Sequence, residues 1–220
     1  MRAISILSGG LDSCVSTAVA LNNGLQVLAI HFNYHQRTQE RELKAFNDIC
    51  AFYGIPSLII DMDFFKQIGG SSLTDFSLDI PKNELGLNGD LPNTYVPFRN
   101  GIFYSIAAAV AQRNNANSIY TGLVSEDSSG YPDTTKEFVN KTEQFIRVGS
   151  GENIKLITPL INLSKAEIVK LGMKLNAPLH LSFSCYESND LACGKCESCQ
   201  LRLRGFKQAG ITDPIAYQNN

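Results

Sequence analysis

The sequence has no long apolar run and no secretory signal. Its longest apolar stretch, 102–111, is interrupted by Tyr104 and Ser105 and falls well short of the ~20 residues that a membrane helix needs. At the N-terminus, Arg2 is followed by only a few apolar residues and then by glycines, which is not the pattern of a signal peptide. We therefore expect a cytoplasmic protein without a membrane partner.

An excess of positive charge is also lacking. Lys and Arg total 19 and Asp and Glu total 21, so the formal net charge is -2. A large non-specific nucleic-acid footprint requires clustered basic residues, and we therefore expect a small-molecule substrate and no nucleic-acid partner. A local basic patch stays open as an alternative, because Lys195, Arg202, Arg204 and Lys207 gather near the C-terminus.

Internal repeats, low-complexity tracts and domain linkers are absent from the sequence as well. A chain of 220 residues, 44% of them hydrophobic, is suited to one compact domain with a sizeable core. We therefore predict a single domain over 1–220.

Apolar strand-like runs alternate with helical patterns along the chain. The patterns predict strands at 3–7, 26–32, 57–60, 118–121 and 155–157, and helices at 13–22, 38–53, 100–113, 135–148 and 164–171. This alternation favours an α/β fold, a Rossmann-like parallel sheet with helices on both faces, in which ligands bind at the carboxyl ends of the strands. The segment 69–97 is rich in Gly, Ser, Asn, Asp and Pro and is expected to be a lid or a partly disordered segment.

The segment 8–13, SGGLDS, lies between the first predicted strand and the first predicted helix. Glycines let the backbone approach an anion closely, and the free amides and dipole at a helix N-terminus favour negative charge. Ser8 and Ser13 add hydroxyl donors. The segment lacks the lysine of the usual P-loop, so it predicts a phosphate site of another kind; the alternative is an ordinary strand-to-helix turn with a capping Asp.

Four of the six cysteines form a second motif within fifteen residues. In a cytoplasmic chain such clustering indicates a metal site rather than disulfides. Four thiolates favour one Zn²⁺ in a closed, structural site, and an iron–sulfur cluster or a redox pair are the alternatives. The expected ligands are Cys185, Cys193, Cys196 and Cys199. Cys14 and Cys50 are expected to be buried apolar residues.

Three further segments carry chemistry, each with a simpler structural alternative. Arg99, in YVPFRN, is expected at a helix start, where it faces phosphates or a carboxylate or is a surface arginine. Asp127, Tyr131 and Asp133 follow the fourth strand, where a carboxylate holds Mg²⁺ or reads a heterocyclic amino group, or belongs to an exposed acidic turn. Lys165 opens a helix and there reaches a phosphate or is solvated.

Together these motifs resemble, in order and spacing, those of the 7-cyano-7-deazaguanine synthases of queuosine biosynthesis. The matching segments, over 8–199, read SGGLDS, YVPFRN, DSSGYPD, PLINLSKAEI and CYESNDLACGKCESC. The first is the PP-loop of the ATP pyrophosphatase superfamily. The resemblance implies a fold of the adenine nucleotide alpha hydrolase type, with one PP-loop ATPase domain over 1–220 and a C-terminal zinc knuckle at 185–199.

The resemblance also implies a reaction, that of an ATP-dependent carbon–nitrogen ligase. The expected reactants are 7-carboxy-7-deazaguanine, ammonia and ATP with Mg²⁺. Adenylation activates the carboxylate, ammonia yields the amide, and a second adenylation leads to the nitrile. Free ammonium is the simpler ammonia source, and a homodimer is expected by resemblance.

Roles for individual residues follow from the same resemblance. Ser8, Asp12, Ser13, Arg99 and Lys165 are the expected catalytic residues. ATP is expected to contact Leu7, Ser8, Gly9, Gly10, Leu11, Asp12 and Ser13, and also Ile30, His31, Phe32 and Asn33. The deazaguanine is expected to face Phe98, Asp127, Tyr131 and Asp133. Asp12 is expected to act by helix capping and metal orientation, and Arg99 and Lys165 to offset charge on the phosphates.

The sequence departs from the family pattern at two places. Leu11 stands where the family loop usually has Gln. After GYPD, Thr134 and Thr135 stand where Cys-Arg is common, and Lys136 is the candidate replacement cation.

Three rival readings remain open at this point. A PP-loop tRNA thiolase would need a reactive cysteine pair and a basic RNA face. A ligase that stops at the amide would use the same activation. A zinc-stabilised nucleotide-binding module would bind ATP without turnover.

Overall fold

The computed structural model describes residues 1–82, 91–125 and 130–218. Five strands form one sheet in the order β3-β2-β1-β4-β5, and all four pairings are parallel. The strands are β1 Arg2–Ile6, β2 Gln26–Asn33, β3 Ser57–Asp61, β4 Ser118–Thr121 and β5 Lys155–Ile157. The predicted α/β fold with a parallel sheet is confirmed.

The helices of the described residues follow the predicted patterns closely, with two exceptions. They are α1 Leu11–Asn22, α2 Gln39–Tyr53, α3 Phe65–Ile68, α4 Arg99–Arg113, α5 Lys136–Ser150, α6 Lys165–Lys174 and α7 Glu197–Ala209. The sequence patterns missed the four-residue α3 and also α7, whose buried face includes Arg202 and Gly205 and so does not read as an apolar stripe. None of these helices is long and apolar enough to span a bilayer.

Helices cover both faces of the sheet because side chains alternate along each strand. Ile4 and Ile6 of β1 belong to the cluster that includes Phe103 and Ala107 of α4. On the other face, Ala29 of β2 lies in a second cluster with the apolar residues of α1, α2 and α6. The two clusters hold the central strands rigidly between helical layers.

The order of the strands reverses at the centre of the sheet. From β1 the chain first builds β2 and β3 on one side, and it then crosses to place β4 and β5 on the other. Loops that follow two such neighbouring strands diverge and leave a crevice at the carboxyl ends. Gly122, directly after β4, approaches the start of α1 so closely that a Cβ atom there would lie 2.5 Å from the backbone nitrogen of Ser13.

The described parts of the segment 69–97 pack against the body of the protein. Ser71 and Leu73 are buried, and Arg37 donates hydrogen bonds to the backbone carbonyls of Ser72, Asp75 and Leu78. These contacts tie 69–82 to the loop after β2, so this part is a packed loop rather than an open lid.

The C-terminal part of the chain is organised around Arg202, which is 1% exposed. Its guanidinium donates to both carboxylate oxygens of Asp213, at 2.8 and 3.0 Å, and to the hydroxyl of Ser182 at 2.8 Å. Arg202 therefore belongs to the core and is not part of the basic surface patch that the sequence left open.

Replacing Asp213 with Ala will leave the guanidinium of Arg202 buried without a carboxylate, a change that costs about 3–5 kcal/mol in comparable buried pairs. We expect a lower urea midpoint of unfolding, followed by circular dichroism. Glu137→Ala is the control, because it breaks only the exposed pair with Lys141 and should leave the midpoint unchanged. Equal midpoints for the two variants would contradict the role given to Arg202.

Candidate active site

A cavity of about 280 Å³ opens at the crevice between β1 and β4. Its wall combines the glycine loop after β1, the inward side chains of β2 and the start of α4. Of the residues expected to contact ATP, those that line it are Leu7, Ser8, Gly10, Leu11, Asp12, Ser13, Ile30 and Phe32. The topology therefore brings most of the expected nucleotide site to one place.

The glycine loop is held by its own hydroxyl groups and by α2. Gly9 has φ +91°, and a Cβ atom there would lie 2.6 Å from the carbonyl oxygen of Glu42, so no other residue fits without displacing backbone. The hydroxyls of Ser8 and Ser13 are 3.0 Å apart, and that of Ser8 accepts from the Gly10 amide at 3.2 Å. The loop is thus preshaped at the N-terminus of α1.

Asp12 and Lys165 form an ion pair beside the loop. The Lys165 ammonium donates to the two Asp12 carboxylate oxygens at 3.0 and 2.9 Å. The expected capping role of Asp12 is wrong: Gly10 is the N-cap of α1, and the cap makes no side-chain hydrogen bond. Asp12 lies instead in the first turn, where the helix dipole favours its negative charge.

Gly205 of α7 makes room for the stem of Lys165. A Cβ atom on Gly205 would lie 2.3 Å from Lys165 Cγ. Lys165 lines a smaller cavity of about 90 Å³, which adjoins the larger one through shared walls that include Asp12 and Tyr131. Since the lysine is tied to Asp12 and confined by α7, its ammonium points to the glycine loop.

Arg99 lies on the wall of the larger cavity, at the first position of α4. Its guanidinium donates to the hydroxyl of Tyr34 at 3.0 Å and lies 5.4 and 5.8 Å from the ring centres of Tyr34 and Phe103. Among the described residues, no carboxylate oxygen lies within 4.0 Å of it. Tyr34 was missed by sequence reasoning, although it continues the inward-facing series Ile30, Phe32.

His31 and Asn33 point to the opposite face of the sheet, as strand alternation requires. The ring of His31 lies 5.0 Å from that of Phe46 in α2, and burial lowers its pKa. Asn33 donates to the carboxylate of Asp61 at 2.8 Å. Neither belongs to the cavity wall as described.

The residues expected to face the deazaguanine are not all brought together. Tyr131 lines both cavities, and its hydroxyl is 2.6 Å from that of Thr94. Asp133 accepts from the Asn100 amide at 3.1 Å and so holds the start of α4, and burial raises its pKa. Phe98 is 56% exposed and covers Gly101, outside the wall. Asp127 lies outside the described residues.

The departures from the family pattern have distinct places. Leu11 and Thr134 line the larger cavity. Thr135 is the N-cap of α5, where its hydroxyl accepts from the Phe138 amide at 3.1 Å. Lys136, the candidate replacement cation, is exposed and lies outside the described cavity wall.

The four clustered cysteines form a buried site for a metal. Their sulfur atoms all lie within 4.8 Å of one another, while Zn–S bonds of about 2.3 Å in a tetrahedron correspond to sulfurs about 3.8 Å apart. The backbone amides of Glu187, Ser188 and Cys193 point to the sulfur of Cys185 at 3.4 Å. These donors stabilise thiolates, and the donor set fits zinc.

Residues next to the cysteines complete the active-site wall. Ser184, Tyr186 and Ser198 line the larger cavity, and the Ser184 hydroxyl accepts from the Leu11 amide at 3.4 Å. Sequence reasoning missed these three residues. Their positions next to Cys185 and Cys199 in the chain could have identified them as candidates for the cavity wall.

Comparison with known proteins agrees with this arrangement. The sequence model of the family described as Queuosine biosynthesis protein QueC matches residues 2–210. A 7-cyano-7-deazaguanine synthase from Aliarcobacter butzleri is 54% identical over 220 residues, covering 99% of this chain and 96% of that protein. Another, from Campylobacter jejuni subsp. doylei, is 52% identical over 221 residues, covering 99% of both.

A solved structure shares the fold at low identity. The "predicted subunit of tRNA methyltransferase" from Methanocaldococcus jannaschii superimposes with a TM-score of 0.53 at 14% identity, covering 100% of this chain and 93% of that chain. At this identity, the similarity indicates a shared fold and nothing about function. The full-length relatives share more than half of their residues with this sequence, and this settles the family: the chain belongs to the QueC family of 7-cyano-7-deazaguanine synthases, the ATP-dependent ligases of queuosine biosynthesis.

Proposed function

We propose that the chain converts 7-carboxy-7-deazaguanine and ammonia to 7-cyano-7-deazaguanine through two adenylated intermediates, at the cavity beside the glycine loop. The observation that carries the proposal is the Asp12–Lys165 pair against the preshaped loop, at the reversal point of a parallel sheet. This arrangement offers amides, hydroxyls and an ammonium to a pyrophosphate group.

The chemistry requires activation because a carboxylate is a poor electrophile. A carboxylate oxygen attacks the α-phosphorus of ATP, and pyrophosphate leaves. Ammonia then attacks the carbonyl carbon, AMP leaves with that oxygen, and loss of a proton gives the amide. In the second round the amide oxygen attacks the α-phosphorus of another ATP and pyrophosphate leaves. Departure of AMP and loss of both protons from the nitrogen then give the nitrile. The protein contributes positioning and charge stabilisation.

Different residues of the cavity wall serve different parts of the proposed reaction. The loop amides and the hydroxyls of Ser8 and Ser13 bind pyrophosphate oxygens, and the Lys165 ammonium stabilises the charge that develops there. Asp12 holds Lys165 and presents carboxylate oxygens, the ligands that Mg²⁺ prefers. Mg²⁺, when bound with ATP, would neutralise the phosphates.

Ile30 and Phe32 offer an apolar surface for the adenosine. Tyr131 faces the deazaguanine in this proposal, and Asp133 supports that wall indirectly through the start of α4. Asp127 is proposed as a substrate contact on the family motif alone.

One structural zinc ion per chain completes the proposal, bound by Cys185, Cys193, Cys196 and Cys199. Four thiolates fill the tetrahedral positions and leave none open for substrate. Held there, the ion would fix the positions of the wall residues Ser184 and Ser198, which adjoin Cys185 and Cys199 in the chain.

We also propose that the protein is a cytoplasmic homodimer that uses free ammonium. Light scattering on the purified protein measures the oligomeric state.

The identity of the product distinguishes a nitrile synthase from a ligase that stops at the amide. Incubation with ATP, Mg²⁺, ammonium and 7-carboxy-7-deazaguanine should yield AMP and the nitrile by mass spectrometry. Accumulation of the amide alone would contradict the proposed second adenylation.

Asp12→Ala should abolish ATP-dependent turnover, because Lys165 loses its tether and the cavity loses a carboxylate. We expect a loss of more than about 100-fold, measured as AMP and nitrile formation, with unchanged circular dichroism and zinc content. The matched control is Asp63→Ala, which removes an exposed carboxylate and should retain full activity. Normal turnover in Asp12→Ala would refute the assignment of the loop.

Cys196→Ser should lower both the zinc content, measured by elemental analysis, and the midpoint of thermal unfolding. Turnover should fall in parallel, because the cysteine segment carries part of the cavity wall. Cys50→Ser is the control: it also alters a buried cysteine, but one outside the cluster, and should keep one zinc per chain. Full zinc occupancy in Cys196→Ser would count against the four-cysteine site.

A further inference from the structure

We propose that Arg99 binds the carboxylate of the first substrate, so that it serves the first adenylation and contributes little to the second. The inference rests on the proposed function, because it assumes that a carboxylate enters the larger cavity and a neutral amide leaves the first round. The residues alone left a phosphate or a carboxylate open as the partner of Arg99, and the inference chooses the carboxylate, whereas the family resemblance implied that Arg99 offsets charge on the phosphates.

The guanidinium of Arg99 is fixed in place but has no ionic partner among residues 1–82, 91–125 and 130–218. Its described hydrogen bond goes to the neutral hydroxyl of Tyr34, and its Nε atom is buried without a partner. A half-buried guanidinium with an unsatisfied donor is destabilising unless an anion lies beside it. Arg99 therefore provides a site for an anion at the wall of the larger cavity.

Among the described residues, the acidic groups near Arg99 are already engaged elsewhere. Glu42 accepts hydrogen bonds from the Thr38 hydroxyl at 2.8 Å and from the Gln36 amide at 3.0 Å, and burial raises its pKa. Asp133 accepts from the backbone amide of Asn100. The guanidinium is thus left for a ligand.

The surroundings of Arg99 favour a carboxylate carried on a planar heterocycle. Arg99 and the glycine loop line the same larger cavity from different elements, since the loop follows β1 and Arg99 opens α4. Lys165 lines the smaller, adjoining cavity with Leu11 and Asp12 of the loop. Around Arg99 the wall is aromatic, with Tyr34 and Phe103, which suits a planar heterocycle. A guanidinium fork matches a planar carboxylate with two parallel hydrogen bonds.

Tyr34 is the positioning residue for this contact. It is 7% exposed, and its ring packs edge-on against Phe65 and Phe103 at 5.8 and 5.6 Å between ring centres. Its hydroxyl is therefore fixed, and it holds one nitrogen of the Arg99 guanidinium at the cavity wall.

The test compares the carboxylate and the corresponding carboxamide as substrates of Arg99→Gln. A charge-assisted pair lost from binding should raise the KM for 7-carboxy-7-deazaguanine by about 10- to 100-fold. The KM values for the carboxamide and for ATP should change by less than about threefold, because neither ligand places an anion at Arg99. Circular dichroism confirms that the variant folds.

Two variants serve as references. Lys165→Gln should impair turnover of both substrates alike, since each requires an adenylation. Tyr34→Phe should raise the KM for the carboxylate with a smaller effect on kcat, as expected when only the orientation of Arg99 is lost. Equal losses on both substrates in Arg99→Gln, or a raised KM for ATP, would overturn the inference.

Binding without ATP separates this inference from the proposed function. Calorimetry should show weaker binding of 7-carboxy-7-deazaguanine to Arg99→Gln than to the wild type, and similar binding of the carboxamide. A wild type that binds the carboxylate but forms no nitrile would contradict the proposed function and leave the inference standing. Equal affinity of the wild type and Arg99→Gln for the carboxylate would overturn the inference itself.

Discussion

The ion pair between Asp12 and Lys165 is the interaction on which the active site depends. One buried ammonium bonds both oxygens of a carboxylate in the first turn of α1, and so joins the glycine loop to α6. The absence of a side chain at Gly205 brings α7 against the same lysine. The helices α1, α6 and α7 therefore meet beside the glycine loop, and the position of the ammonium is set by all three.

The cysteine cluster extends this arrangement to the far wall of the cavity. Ser184, Tyr186 and Ser198 lie next to cysteines of the cluster in the chain, so the positions of the cysteines also set this part of the wall. The ion pair between Arg202 and Asp213 anchors α7, which carries Ser198. The proposed zinc ion would act on the reaction through position alone, because four thiolates leave no coordination site open.

Two cations with different environments fit a reaction whose substrate changes charge between its two rounds. Lys165 is paired with Asp12 and faces the glycine loop, which suits its proposed role in both rounds. Arg99 has no ionic partner among the described residues and lies beside aromatic rings, which suits the proposed contact with the carboxylate of the first round. Leu11 and Thr134, which differ from the family pattern, line the same cavity.

The sequence by itself determined the parallel α/β fold, the glycine loop, the four-cysteine cluster and the family, because strand periodicity, glycine spacing and cysteine spacing are local properties of the chain. It could not decide which side chains of a motif face the cavity. His31, Asn33 and Phe98 lie in the expected segments and point elsewhere, while Tyr34, Ser184 and Gly205 contribute from outside them. Strand alternation and the packing of helices far apart in the chain make that choice, and both depend on tertiary contacts that spacing does not encode.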